Sequence, residues 1–381
     1  MKTVTMKKAY IYATTLCCLL LPATGMSATL EEIDQRLKKL EGESAVNQAE
    51  TDDIATRLKN SMTVSGYADA EYVTTDVPGD AGFRLHHLSM FLKKQVSDDL
   101  RFFSETEWED APYVSGDPGS SVSRSGTIFI EALNFDYQWR PDTSMRVGRF
   151  FTPAGIWSVD HYPPFVLTQM RPQHIREIFP QLVDGAAISG LHAAGSAFVG
   201  YDLYIGNGET GTFNGHSDEN TTKAAGLKVN VALPIAQQFD VGATIYHDKL
   251  AASADTNESK KDAYGAHAKI RQGAFVLQAE YADGKYEPTV SPATNLPYHK
   301  KGYYAQFSYD INKWTLGYRY DYFDPNTTSV ASSATKINSA IVNYHVNRNV
   351  VLKWEHHIAD VLDPAQPNWY KDIVSIVANL D

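Results

Sequence analysis

Thr63–Thr75 reads TVSGYADAEYVTT. Taken two at a time it separates cleanly. Val64, Gly66, Ala68, Ala70 and Tyr72 form one set; Thr63, Ser65, Tyr67, Asp69 and Glu71 form the other. Successive side chains of a strand point to opposite faces, so this is a strand with one apolar and one polar side. A soluble sandwich or propeller uses such strands, and so does a membrane barrel that is apolar outside and polar inside. The repetition of the pattern along the chain separates these architectures.

The same period recurs in NKWTLGYRYDYFD (Asn312–Asp324), GAFVLQAEYADG (Gly273–Gly284) and NVVLKWEHH (Asn349–His357). Such segments start near residues 62, 83, 99, 126, 143, 183, 196, 222, 238, 261, 274, 300, 313, 335, 349 and 371. Each has roughly the 9–11 residues that a tilted spanning strand requires. The connections alternate. Short ones such as PD (141–142), QG (272–273), IN (311–312) and NR (347–348) take turns with long ones, of which 152–182 is the longest. Short turns at one rim and long loops at the other mark an outer-membrane barrel. Trp139, Phe239, Phe275, Tyr309 and Trp314 lie beside short turns, and Tyr72, Trp108, Tyr281 and Tyr322 beside long loops, as two aromatic girdles. A soluble sheet protein has no reason to sort its loops or aromatics this way. The expected fold is all-β: a 16-stranded antiparallel transmembrane β-barrel over residues 61–381, preceded by a short helical segment.

The N-terminus sets the compartment. Lys2, Lys7 and Lys8 precede the apolar run Ala9–Leu21, and small residues lead to a cut after Ala28, so residues 1–28 read as a secretory signal peptide. Both cysteines, Cys17 and Cys18, fall within it, which leaves the mature chain no thiol. Residues 29–60 are helical in pattern. Leu30, Ile33, Leu37, Leu40, Ile54 and Leu58 share one heptad seam with a polar middle, which suggests a short periplasmic coiled coil joining several chains. The alternative is a single solvated helix. A net charge of −11 argues against nucleic acid as a partner.

The inward faces are polar and sorted by sign. Asp69 to Glu107 form a mainly acidic wall, and Lys228 to Arg271 a mainly basic one. A barrel of sixteen strands encloses a water-filled lumen. Loop 152–182 carries one basic cluster, Arg171 and Arg176 with His174 between them. With the inward Arg146, Lys269, Arg271, Arg319 and Lys353, these are the candidate pore-constriction and solute-binding residues, and His174 is expected to add charge at low pH. No nucleophile or phosphate-loop motif is present, so no catalytic residue is assigned. The adjacent pairs His86–His87 and His356–His357 should split between the two faces of their strands, so neither a metal site nor a cofactor is expected.

RVGRFFTPAGIW (Arg146–Trp157), VDGAAISG (Val183–Gly190) and YDLYIGNG (Tyr201–Gly208) resemble the corresponding segments of the phosphate-selective porin O/P family over essentially the whole mature chain. The resemblance implies a homotrimeric outer-membrane porin whose third long loop folds inward and narrows the pore. Two features depart from that family. The last residue is Asp381 rather than an aromatic, and the third loop lacks the many cations that phosphate selectivity implies. The function expected is passive diffusion of small hydrophilic solutes or ions, with anions or phosphate as candidate preferred solutes and outer-membrane lipid as surroundings. The alternatives are a structural barrel tethered through its N-terminal helix and, more distantly, an outer-membrane enzyme.

Overall fold

The computed structural model describes Lys38 and residues 61–111, 126–209, 222–250, 258–289, 296–329 and 333–380. The signal peptide and the coiled coil, Lys38 apart, lie outside the described residues. The chain divides into Met1–Asn60 and Ser61–Asp381, and the second unit is the barrel.

Its strands are β1 (Met62–Thr75), β2 (Gly82–Gln95), β3 (Leu100–Glu109), β4 (Thr127–Arg140), β5 (Thr143–Phe151), β6 (Leu182–Ala194), β7 (Ala197–Gly206) and β8 (Ala224–Ala232). The other eight are β9 (Gln238–Leu250), β10 (Ser259–Gln272), β11 (Phe275–Pro288), β12 (Tyr298–Ile311), β13 (Trp314–Asp324), β14 (Thr335–His345), β15 (Val350–Val361) and β16 (Trp369–Asn379). No start departs by more than two residues from the position read in the sequence. Each strand pairs antiparallel with the next, and β1 pairs with β16 to close the ring. Closure matters because an unpaired backbone group in hydrocarbon costs several kcal/mol, and a closed barrel has no edge to leave unpaired.

The barrel is inside-out relative to a soluble core. Val374 on the outer wall is 52% exposed, whereas Glu355 on the inner wall is 0% exposed. The apolar sets read from the sequence face outward, including the girdle residues Tyr72, Trp139, Phe275, Tyr281 and Trp314.

Two bulges interrupt the alternation on the acidic wall. Asp69 pairs with His87 and Ala70 with Leu85, so His86 is the extra residue on β2. Glu105 pairs with Ala132 and Thr106 with Ile130, so Glu131 is the extra residue on β4. A bulge re-aims side chains and shifts which residues share a face. It brings Glu131 onto the inner wall. It also corrects the expectation that His86 and His87 split, because their rings lie 3.6 Å apart on the Asp69 side.

Candidate functional site

The segment between β5 and β6 does not stand out from the rim. It turns into the barrel and is held by side chains from much of the wall. At its start the Glu280 carboxylate of β11 accepts from the backbone N–H groups of Ile156 (2.8 Å) and Trp157 (2.9 Å), and Lys228 of β8 donates to Gly155 O at 2.7 Å. In its middle Lys353 of β15 donates to the carbonyls of Pro163 (2.7 Å) and Val166 (2.8 Å). Asn343 of β14 donates to Leu167 O at 3.0 Å, Arg319 of β13 to Thr168 Oγ1, and Gln169 N–H donates to Glu355. Backbone with no strand partner is tolerated at membrane depth only where protein or cavity water satisfies it, and these side chains serve that need.

The end of the loop is held by packing. Ile178 and Phe179 bury against Phe150, Val183, Ala187, Tyr204, Tyr246 and the small residues Ala224, Ala263 and Ala282. Inward positions with little side chain make the room. A Cβ on Gly302 would collide with His174, and one on Gly317 would press on Leu167.

The loop faces the acidic wall across a cluster of buried groups. Glu105, Glu107 and Glu131 bring carboxylate oxygens within 4.8 Å of one another. Tyr67 donates to Glu107 (2.5 Å), Ser89 to Glu105 (2.8 Å), Tyr162 to Glu105 (3.1 Å) and Gln181 to Glu131 (2.9 Å). His161 Nε2 stands 3.7 Å from Glu131 Oε2. Arg171 is within electrostatic reach of all three glutamates, and Arg176 of Glu107 and Glu131. This countercharge, with the hydrogen bonds from Tyr67, Ser89, Tyr162 and Gln181, offsets part of the cost of burying three carboxyl groups in one place.

The candidate residues therefore divide. Arg171 and the exposed Arg176 stand together opposite the glutamates. Lys269 (4.0 Å from Asp160) and Arg271 (3.6 Å from Asp310) line a cavity of 370 Å³ on the short-turn side of the loop. Arg146 is bound to Asp136 at 2.6 and 3.0 Å nearer the short-turn rim. Arg319 and Lys353 are buried at 0% and 2% exposure and anchor the loop. His174 is buried too, and burial together with the nearby Arg319 cation lowers its pKa to about 3. That corrects the charge expected of it at low pH: above pH 3 it stays neutral under the loop. Glu131 and Glu280 of the wall and His161 of the loop were missing from the candidate set.

A family model described as Gram-negative porin matches residues 144–357, more than half of the chain. Two solved structures share the fold at low identity. An anion-selective porin from Comamonas acidovorans is 14% identical with a TM-score of 0.59, covering 84% of this chain and 99% of its own. The trimer form of OmpT, an outer membrane protein of Vibrio cholerae, is 13% identical with a TM-score of 0.58 over 84% and 99%. A protein of Aquifex aeolicus (strain VF5) described as uncharacterized is 28% identical over 153 residues, 40% of this chain. That matched stretch is 33% of the relative's length.

Proposed function

The chain belongs to the Gram-negative porin family, and on that premise we propose that it admits small hydrophilic solutes and ions by passive diffusion past a constriction formed by residues 152–182. The observation that carries this reading is the loop itself. Side chains from β8, β11, β13, β14 and β15 hold it across the lumen, leaving a cavity of 370 Å³ beneath it. A fixed constriction with charge on both sides is how a wide barrel gains selectivity without a gate. The assignment involves no chemical turnover.

In this reading Arg171 and Arg176 set a modest preference for anions. Their cationic field is partly cancelled by Glu131, so the preference is weaker than two free arginines would give. A preference for phosphate, as in the O/P family, has less support, because Arg146, Lys269, Arg271 and Arg319 all stand beside carboxylates. The test is the reversal potential of the purified protein in a planar bilayer under a salt gradient. Arg171→Ala with Arg176→Ala should move it toward cations. An unchanged reversal potential means that these arginines do not set selectivity.

The working unit in this proposal is a homotrimer in outer-membrane lipid. The outer wall offers a place suited to such contact. Arg149 on β5 and Asp184 on β6 face outward and bond twice, at 2.7 and 2.6 Å, in an apolar groove with Ile130, Leu133 and Val147.

A further inference from the structure

The bulge on β2 gathers more than two imidazoles. Asp69 and Glu71 of β1 project to the same side: Asp69, His86 and His87 each bring a ligand atom within 4.8 Å of the others, and Glu71 faces His86 beside them. We propose that Asp69, Glu71, His86 and His87 form a binding site for a divalent transition metal of the Zn²⁺ class.

Three observations carry the proposal. The first is spacing. Ligands held about 2.0–2.2 Å from a tetrahedral zinc ion stand about 3.3–3.6 Å from one another. His86 Nδ1 lies 3.3 Å from Glu71 Oε2 and 3.5 Å from Asp69 Oδ2. Both distances match edges of that tetrahedron. The third pair, His87 Nδ1 and Asp69 Oδ1, is closer at 2.8 Å, a hydrogen bond whose shared proton a metal would replace.

The second is unmet bonding capacity. His86 Nδ1 and Glu71 Oε2 are buried atoms with no hydrogen-bond partner among the described residues, although they face each other. They stand 3.3 Å apart, an ion-pair distance that needs a proton on His86, and one cation ligated by both would take that proton's place.

The third is support behind the ligands. Arg84 Nη1 stands 3.4 Å from Glu71 Oε1, on the oxygen that does not face His86. Gln169, from the lumen loop, donates to Asp69 Oδ2 at 2.7 Å. Ligating carboxylates are ordinarily fixed by such outer partners. Two imidazoles with two carboxylates suit zinc and its neighbours better than calcium or magnesium, which take oxygen ligands. The His86 side chain is 21% exposed, so the site opens to the lumen.

Calorimetric titration of the full-length protein, folded in detergent at neutral pH, with Zn²⁺ tests the site. One ion per chain should bind with a micromolar or tighter constant. His86→Gln should weaken binding about a hundredfold and Glu71→Gln about tenfold, in line with the loss of a metal ligand. His356→Gln, whose ring pairs with Asp372 at 2.9 Å elsewhere on the barrel, should leave binding unchanged. Absence of saturable binding, or binding that survives His86→Gln unchanged, overturns the proposal. Should the variants fail to fold, the wild-type chain still decides. Zn²⁺ should protect His86 and His87 from diethylpyrocarbonate while the exposed His192 and His247 stay reactive. Equal modification of His86 with and without Zn²⁺ counts against the site.

Discussion

Gly155 has φ +55°, in the left-handed region, and a Cβ there would also collide with the Glu280 carboxylate. That carboxylate bonds the next two backbone N–H groups, so one residue without a side chain lets the loop leave the wall and dock at once. Gly155→Ala should break both bonds. The barrel should keep its heat-modifiable mobility on gels, while chymotrypsin should begin to cut near Trp157, now 1% exposed. A loop as resistant as the wild type's would mean that Gly155 is not the pivot. The same scale shows what single residues disclosed in advance. The two bulges were written in the sequence as slips of phase. In β2 the apolar series runs Phe83, Leu85 and then Leu88, Met90; in β4 it runs Ile128, Ile130 and then Leu133, Phe135. Strict alternation across those slips puts His86 and Glu131 on the wrong face. The slip marks where the period breaks, but which strand partner absorbs it becomes visible only with the register.

The strands and turns were legible because a spanning strand must satisfy local rules: period two, a minimum length, a tight turn and an aromatic at the interface. The loop between β5 and β6 obeys none of them. Its length pointed to function, but its anchors, Glu280, Lys353 and Glu355, lie more than a hundred residues away along the chain and look like ordinary lumen charges in sequence. The docked loop also carries a built-in response to acid. Burial and Arg319 lower the His174 pKa from 6.5 to about 3, and burial with the Arg171 cation lowers that of His161 to about 4 against the pull of Glu131. Above pH 6.5 both rings are neutral whether the loop is docked or free. Below it the free loop takes up protons that the docked loop refuses. Docking therefore weakens by up to about 1.4 kcal/mol per histidine for each pH unit, levelling off only below the lowered values. Single-channel current noise should rise as the pH falls from 7 to 4, and His174→Gln should reduce the rise. Noise that is flat with pH, or that rises equally in the variant, removes His174 as the cause.

At the scale of the whole molecule, the outer wall is largely apolar, and Arg149–Asp184 is a charged pair set in an apolar groove of it. A lone arginine facing lipid near mid-bilayer costs about 2–4 kcal/mol, and pairing it with Asp184 lowers but does not remove the cost of taking two charges out of water. In the proposed trimer, contact with a second subunit would give the pair polar neighbours and cover the groove around it, between Gly148 and Gly185. The sequence pointed to several chains through the heptad seam of residues 29–60 and to a trimer through resemblance; the outward pair was hidden in RVGRFF and VDGAA, where each charge alone passes for a lumen residue. Mild-detergent gels should show a heat-sensitive oligomer. Arg149→Leu leaves Asp184 without its partner in the groove, so the oligomer should dissociate at a clearly lower temperature. The barrel's own unfolding, read from the shift of the monomer band, separates loss of contact from loss of fold. An oligomer of unchanged heat stability places the contact on another face of the barrel. A wild-type chain that is monomeric in every mild detergent rejects the trimer itself.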